Sequence, residues 1–268
     1  MAAEKYYDDR SKSYDSAFNC LYFKVYDFIT WKYIEPYLPS NPDALILDAA
    51  GGTGRWAIRI AEKSRRVILI DMSDGMLRIA AKKAEQSHLQ DRITIKKGDI
   101  TRTEFPNNTF DMILCEHALF LFREPDLVLR ELSRILKKNG RLIITATNRY
   151  AQALANLSGS PNSDEAQSAL EMLSGKKHEY MIEDGSVEVY SWTPNEFQTM
   201  LERNGLTVDK IIGKVVTMPL RINRDFYWKK DFSQDLFNKI VEIELAFCER
   251  HDALALAGHM QAITRKTD

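Results

Sequence analysis

Two aspartates follow apolar runs early in the chain, and both have the chemistry of a nucleotide site. Asp48 ends the run Ala44-Leu45-Ile46-Leu47 and precedes a turn of small residues, and Asp71 ends the run Val67-Ile68-Leu69-Ile70. Such runs are typical of buried parallel strands. Asp71 lies 23 positions after Asp48, about the spacing at which a nucleotide fold places a carboxylate on ribose hydroxyls. Because a carboxylate accepts hydrogen bonds from both hydroxyls of a diol, Asp71 is predicted to bind ribose rather than only to begin a helix.

The turn after Asp48 permits two interpretations. Gly52-Thr53-Gly54-Arg55-Trp56-Ala57 matches the Gly-x-Gly-x-x-Gly/Ala pattern of dinucleotide sites. Glycines let the main chain bend with positive φ, and the helix predicted from Arg55 offers N–H groups to a ligand. Asp48 separates the interpretations, because its charge repels a pyrophosphate and attracts an amino group or a cationic centre. S-adenosylmethionine is such a ligand.

The run from Asp48 to Gly54 resembles the first motif of the class I S-adenosylmethionine-dependent methyltransferases, although Ala50 stands where many members have glycine. The resemblance implies that Met72, Met76 and Ile100 are candidates to contact the adenine and that Asp99 accepts its amino group. It covers residues 44–147 with ordered motifs, and residues 192–215 and 258–266 more loosely. The predicted cofactor-binding residues are Asp48, Ala50, Gly51, Gly52, Thr53, Gly54, Asp71, Met72, Met76, Asp99, Ile100 and Glu116.

The candidate catalytic residues are His117 and Tyr14. Glu116 and His117 follow the strand predicted at 112–115, where ligands bind in open parallel sheets. An imidazole suits proton removal near neutral pH, so His117 is a candidate base; helix capping or cofactor contact are its alternatives. Tyr14-Asp15 is similar to a Tyr-Asp pair that the related enzymes carry before their core, which implies a tyrosine folded over the cofactor and substrate. Packing against the core is the alternative for Tyr14.

The order of elements predicts an α/β protein with the three-layer Rossmann-like methyltransferase fold, a seven-stranded mostly parallel sheet and helical lid insertions. A helix is predicted to end at the turn 137–140, before a fifth strand at 141–147. A last strand is predicted at 258–266, and the resemblance implies that it inserts antiparallel beside the sixth strand at the sheet edge. Ser73 and Thr193 are predicted helix N-caps. The predicted divisions are a helical lid at 1–40, a cofactor-binding core at 41–150, a substrate-covering insertion at 151–190 and the rest of the sheet at 191–268, with a helical insertion at about 221–255.

Composition limits the partners that we expect. The formal net charge is −1 and the lysine pairs are scattered, so no basic stripe for nucleic acid is evident. The three cysteines are far apart, which predicts neither disulfides nor a metal site and fits a reducing compartment. The sequence has no apolar signal segment and no membrane-length apolar run, so we expect a cytoplasmic protein. Oligomeric state is left open.

The sequence therefore predicts an enzyme that transfers a methyl group from S-adenosylmethionine to a small molecule, releasing S-adenosylhomocysteine. Aromatic residues at both ends of the chain favour an apolar or aromatic acceptor such as a quinone-like ring, with an amine held by aromatic faces as the alternative. O-, N- and C-methylation stay open, as does the need for a base. The alternatives to methyl transfer are a nicotinamide-dependent oxidoreductase and a non-catalytic regulatory module that binds the same cofactor.

Overall fold

The structure, a computed structural model, describes residues 2–63, 65–157, 162–175, 178–182, 185–217 and 228–267. Its strands are β1 (Leu45–Ala49), β2 (Arg66–Asp71), β3 (Ile93–Lys97), β4 (Phe110–Cys115), β5 (Leu136–Thr147), β6 (His178–Ile182), β7 (Gly185–Val189), β8 (Leu206–Lys214) and β9 (His259–Lys266). Its helices are α1 (Ala2–Ala17), α2 (Leu21–Lys32), α3 (Arg55–Glu62), α4 (Asp74–Gln86), α5 (Pro125–Ile135), α6 (Arg149–Asn156), α7 (Ser163–Leu173), α8 (Pro194–Glu202) and α9 (Gln234–Cys248). None of these described helices is long and apolar enough to cross a lipid bilayer.

Seven strands form one sheet in the order β3-β2-β1-β4-β5-β9-β8. The first five pair in parallel, whereas β9 is antiparallel to both of its neighbours, β5 and β8. The predicted seven-stranded, mostly parallel α/β fold is confirmed. The last strand was expected to insert antiparallel beside the sixth strand at the sheet edge, and this is confirmed: β9 lies between β5 and β8, and β8 is the edge strand. Because the chain crosses over after β3, the carboxyl ends of β1 and β4 meet at the point where ligands bind in such sheets.

Helices cover both faces of the sheet, each with its own apolar core. On one face α2, α3, α4 and α9 pack against side chains such as Ile46, Leu69 and Ile143. On the other face α5 and α8 pack against side chains such as Leu47 and Ile113. Strands with apolar residues on both faces are typical of a buried parallel sheet. The two layers therefore fix the strand ends that carry the candidate site.

Two predicted helix starts are confirmed by their hydrogen bonds. Ser73 Oγ accepts the N–H of Met76 at the start of α4. Thr193 and Glu196 form a reciprocal capping box at the start of α8, with Pro194 in the first turn. These bonds satisfy N–H groups that the first turn of a helix leaves without partners.

The predicted turn at 137–140 was wrong. Helix α5 ends at Ile135, and β5 begins at Leu136, which pairs with Phe110 of β4. The Lys137 ammonium lies 2.8 Å from the Asp111 carboxylate, which fastens this extension to β4. Asn139 has φ of +62°, so the strand bends locally where a turn was expected. The cross-strand partners are far away in sequence, and a local reading of the Lys-Lys-Asn-Gly run does not include them.

The segment after β5 contains more structure than the sequence pattern indicated. The sequence pattern predicts short helices at about 151–157 and 165–173, and α6 and α7 lie close to them, but the antiparallel hairpin of β6 and β7 was not predicted. In the predicted helical insertion at 221–255, the structure describes α9. Residues 218–227, with the aromatic Phe226 and Tyr227, lie outside the described residues.

Candidate functional site

The turn after β1 has an unusual backbone. Ala50, Gly52 and Gly54 have φ angles of +57°, +54° and +77°. This left-handed conformation costs alanine about 1 kcal/mol and costs glycine almost nothing. Gly51 is required for another reason, because a Cβ there would lie 2.8 Å from the Asp48 carboxyl and from Leu69. At Gly52 nothing lies within 4 Å of the Cβ position, so a ligand can approach this backbone closely.

Asp48 is buried beneath this turn, within β1. Its Oδ2 accepts the N–H of Ala57 in the first turn of α3 at 2.9 Å. Burial raises the pKa of Asp48 to about 7, against the opposing effect of this hydrogen bond. The carboxyl therefore both fixes the turn and lines the cavity described below.

Asp71 ends β2 and holds the neighbouring turns together. Its Oδ2 accepts the N–H of Gly52 and its Oδ1 accepts the N–H of Ser73, each at 2.9 Å. Burial raises the pKa of the Asp71 carboxyl above its ordinary value. Each carboxylate oxygen has a second lone pair, so the group still has capacity for the two hydroxyls of a ribose.

These turns surround a cavity of about 550 Å³ at the carboxyl end of the sheet. Of the residues singled out in the sequence, the cavity is lined by Tyr14, Asp48, Ala50, Gly51, Gly52, Thr53, Asp71, Met72, Met76, Ile100, Glu116 and His117. Gly54 and Asp99 are not in this lining. Gly54 is the N-cap of α3, where a Cβ would press on Ala80, and Asp99 Oδ1 accepts the N–H of Thr101. The same cavity has wall residues that the sequence pattern did not indicate, among them Glu4, Tyr7, Arg55, Phe122, Val187 and Glu188.

Helix α1 covers the cavity and is bonded to the cofactor turns by two aspartates. Asp8 accepts the Ser73 hydroxyl at 2.6 Å and the Gly75 N–H at 2.7 Å, at the start of α4. Asp15 accepts the Thr53 hydroxyl at 2.6 Å and pairs with Lys83 at 3.0 Å. We call these contacts the α1 latches. Helix α1 is therefore hydrogen-bonded through these aspartates to the turns that form the site.

Two tyrosines of α1 face the cavity beneath the latches. Tyr14 and Tyr7 are half-buried, and both line it. Burial raises the pKa of Tyr14 to about 12 and raises that of Tyr7 well above the ordinary value. Both phenols therefore stay protonated at neutral pH and can donate hydrogen bonds there.

A buried ion pair lies beside the cavity, between the sheet and α2. Lys214, at the end of β8, is fully buried, and its Nζ lies 2.8 Å from Glu116 Oε2. The ammonium also lies within hydrogen-bond distance of three hydroxyl oxygens, those of Tyr26, Thr30 and Thr145. Burial lowers the pKa of Lys214 to about 8, while the Glu116 carboxylate opposes that shift. Glu116 is the charged group among these partners, so each member of the pair compensates the other.

The main chain after Lys214 is held by α9. Val215 has φ of +52°, a strained conformation for a β-branched residue. The fully buried Glu244 carboxylate accepts the N–H groups of Val216 at 2.6 Å and Thr217 at 3.0 Å. Helix α9 thus fixes the backbone that directs Lys214 into the protein.

His117 lies in an aromatic environment next to Glu116. Its ring centroid lies 5.1 Å from that of Phe120, 5.2 Å from that of His259 and 5.8 Å from that of Tyr26. Burial lowers the pKa of His117 to about 3, so the imidazole is neutral at physiological pH. His117 has φ of +57°, and its Nδ1 has no hydrogen-bond partner among the described residues. Gln261 of β9 is also buried, and neither its side-chain nitrogen nor its side-chain oxygen has a hydrogen-bond partner among the described residues.

Comparison with known proteins is consistent with this geometry. Residues 40–205 match the family model of a methyltransferase domain. A demethylmenaquinone methyltransferase of Lactiplantibacillus plantarum is 33% identical over 121 residues, which are 44% of this chain and 50% of the relative. The chain therefore spans about half the length of that curated relative. A tRNA 5-carboxymethoxyuridine methyltransferase of Escherichia coli O157:H7 is 27% identical over 244 residues, which are 89% of this chain and 87% of the relative.

Solved structures show the same fold at low identity. A SAM-dependent methyltransferase from Methanosarcina mazei superposes with a TM-score of 0.61 at 14% identity, covering 87% of this chain and 96% of that one. The family model covers more than half of the chain and includes the acidic strand ends and the glycine turn that form the cavity. The chain belongs to the class I S-adenosylmethionine-dependent methyltransferases, the family that its first motif resembles.

Proposed function

We propose that this methyltransferase acts on a small, neutral aromatic molecule that carries a hydroxyl group, such as a hydroquinone. The single observation that carries the proposal is the covered cavity, whose walls include Tyr7, Tyr14, Leu121 and Phe122. A concave site with aromatic and aliphatic walls suits a small flat acceptor. The named activity of the demethylmenaquinone relative supports the same class.

The cofactor half of the proposal assigns roles to individual residues. The cavity's acidic lining fits a ligand with a sulfonium and an ammonium, and the open backbone at Gly52 leaves room beside it. Asp71 would accept the ribose hydroxyls, Met72, Met76 and Ile100 would contact the adenine, and Asp48 would attract the cationic end. Asp99 is proposed as the acceptor of the adenine amino group. Bound S-adenosylmethionine supplies an electrophilic methyl carbon, so the protein mainly has to hold the acceptor aligned and dry.

Calorimetric titration tests the cofactor assignment first. We expect micromolar binding of S-adenosylmethionine and S-adenosylhomocysteine and no binding of NAD. Binding of NAD alone would contradict the proposal and would revive the oxidoreductase alternative. Cofactor binding without turnover of any acceptor would favour the regulatory alternative.

A nucleoside in tRNA is the second candidate acceptor, favoured by the nearly full-length match with the tRNA enzyme. A surface groove with Arg130, Arg134, Arg203 and Lys266 is a place where phosphates could bind. However, Arg134 is bonded to Glu131 and Arg203 to Asp126, so much of this charge is compensated. Incubation with labelled S-adenosylmethionine and either bulk tRNA or 1,4-naphthohydroquinone separates the candidates. We expect label in the hydroquinone; label only in tRNA would overturn the small-molecule proposal.

A further inference from the structure

Glu116 has one carboxylate oxygen whose bonding is incomplete. Its Oε2 accepts hydrogen bonds from Lys214 at 2.8 Å and from Tyr26 at 3.3 Å. Its Oε1 is buried and has no hydrogen-bond partner among the described residues, although Glu116 lines the cavity. Leaving a buried carboxylate oxygen without a donor is costly, so a ligand that donates a hydrogen bond there gains affinity.

The charges of the cavity restrict what that ligand can be. Five lining residues are acidic: Glu4, Asp48, Asp71, Glu116 and Glu188. Among the described lining residues Arg55 is the cationic one, and its guanidinium already lies 2.8 Å from the Asp27 carboxylate and 3.9 Å from the ring centroid of Phe18. A carboxylate on the ligand would be repelled by these acidic side chains, whereas a neutral hydroxyl would not be repelled.

We propose that Glu116 binds the hydroxyl of the methyl acceptor through Oε1 and receives its proton, and that Lys214 is the positioning residue that holds the carboxylate in place. This inference rests on the proposed function and deepens it. Glu116 is thereby assigned to the acceptor rather than to the cofactor. The acceptor class is a phenol or hydroquinone, and carboxylic acids are disfavoured.

The proton transfer balances as follows. The acceptor O–H bond breaks, its proton passes to Glu116 Oε1, and its electron pair stays on the acceptor. The acceptor's oxygen, or the ring carbon conjugated with it, forms the bond to the methyl carbon while the pair of the breaking S–C bond returns to sulfur. After attack by carbon, the ring C–H releases its proton to water and Glu116 returns the hydroxyl proton to the acceptor oxygen. After attack by oxygen, Glu116 returns its proton to solvent. The hydroxyl becomes far more acidic as the new bond forms, so a carboxylate is basic enough to accept its proton.

His117 is less suited to this role, although it is adjacent. Its neutral ring is packed among aromatic side chains, and the positive charges of Arg55 and Lys214 act with burial to lower the pKa of His117, which disfavours an imidazolium. Glu116, in contrast, is held by a cation on one oxygen, and its other oxygen has no hydrogen-bond partner in the part of the chain that the structure describes. The pair therefore provides both the acceptor atom and the group that orients it.

Binding of three matched probes to the protein saturated with S-adenosylhomocysteine tests the proposal. The probes are 1-naphthol, which donates a hydrogen bond, 1-methoxynaphthalene, which cannot, and 1-naphthoate, which is anionic. We expect 1-naphthol to bind about tenfold or more tightly than 1-methoxynaphthalene, as for a hydrogen bond to a charged acceptor, and 1-naphthoate to bind most weakly. Equal affinities for 1-naphthol and 1-methoxynaphthalene, or a preference for 1-naphthoate, would overturn the proposal.

Two variants test whether Glu116 and Lys214 produce the preference for 1-naphthol. In Glu116→Gln the preference for 1-naphthol should fall to about threefold or less and 1-naphthoate should bind better, while S-adenosylhomocysteine affinity stays within about twofold. Lys214→Met should reduce the same preference, because the carboxylate loses the ammonium, 2.8 Å from Oε2, that holds it in place. If Lys214→Met does not fold, Glu116→Gln, which keeps the shape of the side chain, decides alone. Asp235→Asn, which removes the acid of an exposed Lys–Asp pair on α9, is the matched control and should change nothing.

The outcomes separate this inference from the proposed function. Failure of the wild-type protein to bind S-adenosylhomocysteine would defeat the function itself, before any probe is added. Normal S-adenosylhomocysteine binding with an unchanged probe preference in Glu116→Gln would defeat the inference alone. A large loss of S-adenosylhomocysteine affinity in Glu116→Gln would return Glu116 to the cofactor side.

Discussion

Asp71 joins the two turns of the proposed cofactor site through a single carboxylate. Replacing it by alanine removes the acceptor of the Gly52 and Ser73 N–H groups and the proposed partner of the ribose. We expect Asp71→Ala to weaken S-adenosylhomocysteine binding about 10- to 100-fold, as for lost hydrogen bonds to a charged group, without unfolding the protein. Calorimetry measures the affinity and circular dichroism the fold.

The neighbouring Asp74 provides a control for Asp71. It lies in the first turn of α4, is exposed and pairs with Lys97, so it shares the charge and the location but not the bonds to the turns. Asp74→Ala should leave the affinity within about twofold. An unchanged dissociation constant in Asp71→Ala would defeat the ribose assignment.

The raised pKa of Asp48 makes folding stability depend on pH. Because its pKa in the folded protein is about 7, well above the ordinary value, the folded state binds more protons than the unfolded state between about pH 4 and 7. Asp48 therefore adds about 4 kcal/mol to the free energy of unfolding at low pH, and this contribution is lost as the pH rises through that window.

Asp48→Asn tests that linkage, since an amide oxygen can still accept the Ala57 N–H. We expect the free energy of unfolding of this variant to fall less between pH 5 and 8 than that of the wild type, and the variant to be the more stable protein at pH 8. Urea unfolding at several pH values measures both. Parallel pH profiles for the two proteins would show that Asp48 is ionised without cost in the folded state.

At the scale of residues, the sequence predicts the turns better than the acceptor side. Asp48, Gly52 and Asp71 follow one another at spacings set by local strand–turn–helix units, so their convergence could be inferred. Lys214 could not, because a lysine in a strand is normally solvated and its burial depends on Glu116, which is 98 residues away in sequence. The left-handed conformation of Ala50 was likewise hidden, since alanine rarely adopts it.

At the scale of elements, the contacts that hold α1 in place can be tested directly by substitution. It is bonded to the turns through the α1 latches, which involve both the glycine turn and the start of α4. We expect Asp8→Ala and Asp15→Ala together to speed dissociation of S-adenosylhomocysteine about tenfold and to increase amide hydrogen exchange in α1. Stopped-flow displacement and exchange mass spectrometry measure these effects.

An exposed aspartate of the same helix, Asp9, is the control for the latches. Asp9→Ala should leave both the dissociation rate and the exchange unchanged. Equal behaviour of the double latch variant and Asp9→Ala would show that packing alone holds α1 in place.

Elements could be predicted where hydrophobic periodicity is strong and local. The strands that carry Asp48 and Asp71 and the strand predicted at 112–115 meet that condition, and all three were found with small shifts of their ends. The β6–β7 hairpin does not, because its strands are five residues each and, among the described residues, they pair with each other and with no strand of the main sheet. The extension of β5 to Leu136 depends on pairing with β4, which local patterns do not report.

At the scale of the whole molecule, β9 joins the edge strand β8 to the parallel part of the sheet. It pairs with β5 on one side and with β8 on the other. Its His259 and Gln261 are buried polar residues, and the His259 ring packs against Tyr26 of α2. A chain that stops after Ala257 should therefore fail to fold cooperatively, because β8 would lose its only described strand neighbour and much of the core would be exposed. A chain that stops after Lys266 is the control. Cooperative thermal unfolding of the shorter chain would contradict the central role of β9.

The position of α1 also has a consequence for the time course of turnover. Because α1 lines the cavity and is hydrogen-bonded to its walls, we expect it to detach each time spent cofactor leaves and fresh cofactor enters. Methyl transfer within the closed cavity does not require this movement. We therefore expect a burst in the first milliseconds to seconds after mixing, with one equivalent of product formed before the slower steady rate, and a steady rate that rises when the latches are removed.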